Sequence, residues 1–371
     1  MRVTHLIRAT GMAGVERHLL NLLPALQQRG VMVDLILLAE PEQTVGHTTT
    51  AFEKVGVPVS QMPLPRAFTP ELLPRLARHF RATRPDLVHT HLFHADFYGV
   101  LAARRAGVRH VVSSRHNDYT LRNRWTVRLL NRWLWGRIDH GIAVSEHMRQ
   151  FSITQEGARP ERVTTVRYGV ALNGLRVGQG ARDVLCAELG IPNGAQLVGM
   201  LCNLENGSVR HGLEAFWHVS ARHPHAHLLV TGDGPERDTL QQQARGYRLS
   251  DRVHLLGWRE DAHPILAALD VLLVPSLAEG FGLILLEGMA LGTPIIASED
   301  SAIPEIVVHG ETGLLVTPYD VGHLASSLLL LLDDDQLRAR LAEAGKARLR
   351  TAFGVERMAE ETLAVYRRVT G

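Results

Sequence analysis

The stretch LAEGFGLILLEGMALGTP, residues 277–294, sets two carboxylates, Glu279 and Glu287, in a segment that is otherwise apolar and glycine-rich. Two such acids are either solvated or capping groups or they hold a ligand, and their place in an apolar segment at the carboxyl end of a strand favours the second. The apolar run before the segment ends at Pro275 and Ser276, and Gly280, Phe281 and Gly282 then lead into a helical pattern that carries Glu287. A helix starting there presents free backbone N–H groups from about Phe281 to Leu283, which suits a phosphate. Glu287, more than one turn further in, can accept two hydrogen bonds from vicinal hydroxyls such as a ribose offers. Glu279, at the loop mouth, could meet hydroxyls of a second sugar beyond the phosphates.

Other segments carry weaker chemistry. TGMAGVERH, residues 10–18, is a glycine-rich loop between a strand and a helix, an anion site or simply a tight turn. It lacks the G-x-G-x-x-G spacing, so Glu40 beyond the second strand gains no meaning as a ribose partner and a nicotinamide enzyme is disfavoured. TGDGPERDTL, residues 231–240, reads as a structural turn. His89 and His91 share one face of a strand, but His94 falls beyond it and no carboxylate or cysteine completes a set nearby, which argues against a metal site. LRNRWTVRLLNRWLWGR, residues 121–137, is a basic helical pattern. Arg124, Arg128 and Arg132 fall on one face, with Leu129, Leu130, Trp133 and Leu134 expected on the other. Such a helix is either an ordinary element with a solvated basic face or one that lies on an anionic membrane.

The elements that must position these residues alternate. Strands are predicted at 3–9, 31–39, 86–91, 110–116 and 140–145, then at 196–202, 226–232, 252–257, 270–276 and 293–298, with helical patterns between them. That order implies parallel sheets covered on both faces by helices. The stretch 166–176 starts strand-like and then meets glycines and a polar break, so the hinge between two domains is placed there. Two doubly wound domains facing a central cleft would bind ligands at the carboxyl ends of their strands. Residues 353–369 have the spacing of a final helix.

Length and composition agree. A chain of 371 residues exceeds what one core usually serves. There is no apolar run of 18 residues, no signal-peptide pattern at the start and no cysteine framework beyond Cys186 and Cys202, so a cytoplasmic setting is expected. Residues 1–170 hold 23 basic and 13 acidic residues, against 17 and 25 in the remainder. The basic half leaves nucleic acid or an anionic membrane open as partners. The basic residues are almost all arginine, with Lys54 and Lys346 the only lysines.

Taken together, AGVERHLLNL, PDLVHTH, SSRH, AVSE, TGDGPERDTL, LLGW, the E-x7-E pair of Glu279 and Glu287, EGMALGTPIIAS, IPEIV and GETGLLV, in this order, resemble the retaining family-four glycosyltransferases, enzymes of the GT-B fold that use nucleotide sugars. The resemblance implies an acceptor-binding domain over 1–170, a nucleotide-sugar domain over 171–352 and a helix over 353–371 that crosses back to the first domain. It implies catalytic positions at His116 and Glu279, and donor contacts at Gly14, Trp258, Gly280, Phe281, Gly282, Leu283 and Glu287. It further implies a UDP- or GDP-sugar donor, a glycan or lipid-linked acceptor, no nucleic acid, no tightly bound metal, and retention of anomeric configuration. The setting would be cytoplasmic, with residues 121–137 either an ordinary helix with a solvated basic face or, from their own pattern, a contact to the inner membrane face. The sequence departs from the family where a basic pair usually meets the diphosphate. Asn203 stands at the arginine position, Gly207 or Ser208 at the lysine, and Arg210 is the candidate replacement. Ala13 replaces the first glycine of a usual pair, and Tyr168 stands where asparagine is common. A non-catalytic glycosyltransferase-like scaffold is therefore the rival reading; a nucleotide-sugar epimerase is opposed by the acid pair.

Overall fold

The computed structural model describes residues 1–9, 11–40, 45–65, 69–117, 125–171, 175, 177–178, 180–205, 207–259, 262–277 and 279–371. They form two compact units, Met1–Val170 with Phe353–Gly371, and Ala171–Ala352. The first unit runs β1 (Arg2–Arg8), α1 (Gly14–Gln27), β2 (Met32–Ala39), α2 (Gly46–Lys54), β3 (Val59–Pro63), α3 (Leu72–Thr83) and β4 (Leu87–His91). It continues through α4 (Phe93–Ala106), β5 (His110–Arg115), α5 (Trp125–Trp135), β6 (His140–Ala143), α6 (Glu146–Thr154) and β7 (Val163–Thr165). The second unit holds α7 (Ala181–Leu189), β8 (Gln196–Leu201), α8 (Ser208–Val219), β9 (Ala226–Thr231), α9 (Arg237–Gly246) and β10 (Val253–Gly257). After these come α10 (Ala262–Ala268), β11 (Val271–Val274), α11 (Leu283–Leu291), β12 (Ile295–Ser298), α12 (Ile303–Ile306), β13 (Leu314–Val316), α13 (Val321–Asp333) and α14 (Asp335–Ala352). The last helix, α15 (Val355–Thr370), belongs to the first unit.

Among the described residues the sheet orders are β3-β2-β1-β4-β5-β6-β7 and β10-β9-β8-β11-β12-β13, with every pairing parallel. Strands buried on both faces read as continuous apolar runs, and β9, AHLLVT, is buried at every position. In each sheet the chain order reverses once, between β1 and β4 and between β8 and β11. At such a reversal the flanking helices lie on opposite faces, which leaves a crevice at the strands' carboxyl ends.

Sequence reading missed β3, β7 and β13, which are short strands at or beside sheet edges. A strand paired on one side need not be apolar throughout, and β3 ends in a proline that an interior strand would reject. The described residues of the strand-like stretch 166–176 form no strand; among them Val170 makes a bridge to Gly354, just before α15.

α5 is also turned differently from the sequence reading, which extended to 121–124, outside the described residues. Asn131, Leu134 and Trp135 face inward, while Leu129 and Trp133 share the exposed side with Arg128 and Arg132. The reason lies underneath. Trp135 sits over Gly141 of β6, where an added Cβ would lie 2.3 Å from its ring. Trp135 Nε1 donates to Glu156 Oε2 (3.1 Å) and Asn131 Nδ2 to Glu156 Oε1 (2.9 Å). Glu156 also accepts from Arg115 Nε at 3.0 Å, and the same guanidinium pairs with Asp96. All three charged side chains are buried. Burial alone opposes the guanidinium charge, but Asp96 and Glu156 outweigh it and raise the Arg115 pKa.

Glu156→Ala would leave Trp135 Nε1, Asn131 and half of the Arg115 charge without their acceptor. Breaking a buried pair in this way costs about 3–5 kcal/mol. The unfolding midpoint in urea should drop accordingly and fall further than for Glu360→Ala, whose pair with Arg29 is exposed.

Candidate functional site

In the second unit the crevice lies between the segments that follow β8 and β11. The first is anchored on the turn after β9. Cys202 N donates to Thr231 O (3.0 Å), Leu204 N to Asp233 O (3.0 Å), and Glu236 N to Leu204 O (3.1 Å). Gly232, at φ +132°, lies so close that a Cβ there would sit 1.9 Å from the Cys202 carbonyl oxygen. TGDGPE therefore serves as the seat of the neighbouring loop.

Across the crevice, Glu279 is half-buried and its carbonyl accepts from Ala302 N at 3.4 Å. Gly280, Phe281 and Leu283 are buried, and Gly282 caps α11 with φ +80°, a left-handed conformation that glycine adopts freely. Glu287 follows in the second turn of α11 and is only 4% exposed. Its Oε1 lies 3.6 Å from His263 Nε2 of α10, a neighbour that the sequence pattern did not single out. Trp258, just past β10, is 54% exposed and sits at the sheet edge, beyond β9 from the crevice. Burial, then Glu279 and Glu236, push the Cys202 thiol up to about 12, so both carboxylates act on the end of β8.

The loop after β8 has no cation at the two positions in question. Asn203 is exposed, with Nδ2 3.4 Å from Glu205 Oε1. Gly207 donates its N–H to Glu236 Oε1 (2.9 Å), and Arg210 Nη2 pairs with the same oxygen at 3.3 Å. Arg210 is thus held on Glu236, at an exposed site.

In the first unit, Gly14 opens α1 behind Ala13, and a Cβ added to Gly14 would meet nothing within 4 Å. Glu16 lies buried in the first turn of the same helix. His116 follows β5 directly and is 4% exposed. Its Nε2 bonds His91 Nδ1 at 2.9 Å and its Nδ1 bonds the Tyr168 hydroxyl at 2.6 Å. His89 and His91 share a face, as their spacing predicts, but their third partner is His5, set opposite His89 on β1. Ring nitrogens of His5, His89 and His91 lie within 4.8 Å of one another. His94 instead approaches Arg8 Nη1, at 3.4 Å. His18 stacks on Tyr168 with ring centroids 4.1 Å apart. A histidine on the first strand gives no local signal of this grouping, because only strand order brings it beside β4. Among the described residues no helix is long and apolar enough to cross a membrane.

Residues 187–348 match the family of glycosyl transferases group 1, and residues 13–169 match a glycosyl transferase 4-like domain. The glycogen synthase of Mycobacterium tuberculosis is 30% identical over 298 residues, covering 77% of this chain and 69% of that protein. The phosphatidyl-myo-inositol mannosyltransferase of Mycobacterium leprae is 28% identical over 347 residues, covering 91% and 88%. The crystal structure of Anabaena HepE in complex with UDP and glucose matches 99% of this chain and 100% of its own, with a TM-score of 0.86 at 23% identity. Two doubly wound parallel sheets of this kind define the GT-B class of protein. The chain belongs to the glycosyl transferases group 1 family and is a glycosyltransferase.

The buried imidazoles make the fold acid-sensitive. Burial pushes the pKa values of His5 and His18 down to about 3 from 6.5. Between those values the unfolded chain binds protons that the folded chain does not. Stability therefore falls as pH drops from the unfolded value toward the folded one, by about 1.4 kcal/mol per pH unit for each ring. The urea midpoint should decline between about pH 6.5 and about pH 5; a midpoint independent of pH across that interval would contradict the assignment.

Proposed function

We propose that this protein transfers a hexosyl group from a nucleotide diphosphate sugar, such as a UDP- or GDP-sugar, to a hydroxyl of a glycan or lipid-linked acceptor. The reaction proceeds with retention and serves cell-envelope or polysaccharide synthesis, and the protein works in the cytoplasm at the inner membrane face. One observation carries the donor half of this reading: a carboxylate, Glu287, buried in a helix of otherwise apolar residues behind a glycine-capped N-terminus. Glu287 holds the nucleotide ribose through its two acceptor oxygens. The N–H groups of Phe281, Gly282 and Leu283, aided by the helix dipole, hold the diphosphate. Glu279 and the Gly280 backbone meet the transferred sugar, and Trp258 lies toward the base. Gly14 and His116 keep the roles that the family resemblance implies for them. HepE, whose structure contains UDP and glucose, supports a nucleotide-sugar donor.

Charge on the leaving diphosphate is met without a tightly bound metal. Arg210 is the cation for this task, in place of the basic residues replaced by Asn203 and Gly207 or Ser208. The Arg210 side of its pair with Glu236 is exposed, so a diphosphate can compete for the guanidinium. The leaving phosphate then helps to deprotonate the acceptor hydroxyl on the same face of the sugar.

The acceptor half rests on α5. Trp125 (73% exposed), Leu129 (58%) and Trp133 (39%) lie beside Arg128 and Arg132 on its outer side, and Arg137 stacks on Trp133 at 3.6 Å from the ring centroid. Aromatic and basic side chains on one exposed face suit an anionic lipid surface, which would bring a lipid-linked acceptor within reach.

Calorimetry with UDP, GDP, ADP and their sugars tests the donor reading. One nucleotide should bind, and Glu287→Ala should weaken it about 10- to 100-fold through loss of charge-assisted hydrogen bonds. If none of them binds, the rival scaffold reading replaces the enzyme. NMR of the product's anomeric proton decides retention. Trp133→Ser should reduce binding to phosphatidylglycerol vesicles and leave nucleotide affinity unchanged; equal binding by both proteins would remove the membrane from the account.

A further inference from the structure

The imidazoles of the first unit form a continuous chain. Tyr168 hydroxyl meets His116 Nδ1 (2.6 Å), His116 Nε2 meets His91 Nδ1 (2.9 Å), and His91 Nε2 meets His5 Nδ1 (3.0 Å). His5 Nε2 then meets the Tyr366 hydroxyl (3.4 Å), which meets His89 Nδ1 (2.6 Å), and His89 Nε2 meets Ser114 Oγ (2.8 Å). Every member is at most 5% exposed.

Such a chain has few ways to place its protons. A neutral imidazole carries one N–H and one acceptor nitrogen, and burial favours the neutral form of three of these rings, lowering the His5, His89 and His91 pKa values. Burial likewise raises the Tyr366 pKa, so its phenol keeps the proton. If Tyr168 donates to His116 Nδ1, His116 must donate from Nε2, and each following ring must do the same as far as Ser114. If Ser114 donates instead, all four rings carry Nδ1–H. A single choice made at one end fixes the tautomer of His116. A phenol is a stronger donor than a serine hydroxyl, so Tyr168 sets the direction.

We propose that Tyr168, His91, His5, Tyr366 and His89 are positioning residues that hold His116 as the Nε2–H tautomer, through one chain of hydrogen bonds sharing a single direction. In that state His116 Nδ1 is an acceptor, open to a ligand hydroxyl that takes the place of Tyr168. The three-histidine grouping of His5, His89 and His91 could suggest a metal, but none of its ring nitrogens is left without a partner in this chain. A metal would have to break hydrogen bonds that already satisfy it. The kinetic part of the proposal rests on the glycosyl-transfer reading; the tautomer part stands without it.

The test begins with the unmodified protein. Long-range 1H–15N correlation of histidine-labelled protein at neutral pH, after treatment with EDTA, should show His5, His89, His91 and His116 all neutral and all Nε2–H. Any other set, any charged ring among the four, or stoichiometric zinc retained with a metal-shifted ring nitrogen overturns the proposal. Tyr168→Phe keeps the ring on His18 and removes only the donor. His116 and His91 should then lose their fixed tautomer, and kcat should fall about tenfold, the equivalent of one hydrogen bond, with donor KM unchanged. Unaltered tautomers or unaltered kcat in that variant overturn it. Calorimetric nucleotide binding by the same samples separates the two readings, since it reports the second unit's site whatever the imidazoles do.

Discussion

A guanidinium shut away from water has to be neutralised where it stands, and Arg115 meets that demand with Asp96 from α4 and Glu156 just past α6. Side chains alternate across a strand. Ser113 and Arg115 therefore turn to one face of the sheet and reach Asp96, while Ser114 and His116 turn to the other and reach His89 and His91. The ion cluster on one side thus fixes the register of the imidazole chain on the other. It also fixes α5, because Asn131 and Trp135 complete the coordination of Glu156 and leave the tryptophan–arginine face outward. A one-residue slip of β5 would place the charge among histidines and the histidines among carboxylates.

The two units use the same topology for opposite electrostatics. At the β1/β4 reversal the buried polar groups are mainly imidazoles, which can shed their charge and share protons, with the Glu16 carboxylate in the first turn of α1. At the β8/β11 reversal the polar groups are carboxylates: Glu287 is buried in the second turn of α11, and the half-buried Glu279 and Glu236 both act on Cys202. A helix start attracts anions and an acid-lined crevice repels them, so a diphosphate there needs an added cation. Arg210, in the first turn of α8, is already paired with Glu236. The basic first half and the acidic second half of the sequence foreshadow this division.

Much of the fold was legible in the sequence for a definite reason. Interior parallel strands are buried on both faces, so β2, β8, β9 and β11 announce themselves as mainly apolar runs, whereas β1 and β4 carry buried histidines and threonines among their apolar residues. Edge strands β3 and β7 and the short β13 do not, because their stability comes from a neighbour rather than from their own composition. The acid-bearing segment at 277–294 was legible because a charge in apolar company is anomalous wherever it occurs. The pairing of Arg210 with Glu236, 26 residues apart, had no such local mark.

The sequence by itself determined the alternation of elements, the helix start at Gly282 and the isolation of Glu287 among apolar residues, since each depends on contacts within a few positions. The tertiary structure decided which distant groups share protons and charge. His5 and His91 are 86 residues apart, and His89 and Tyr366 are 277 apart, yet each pair is joined by a hydrogen bond. Only the order of strands in a folded sheet, and the return of α15 onto it, can bring such groups within 3 Å. No local pattern encodes that order, because it is set by how whole helices and strands pack.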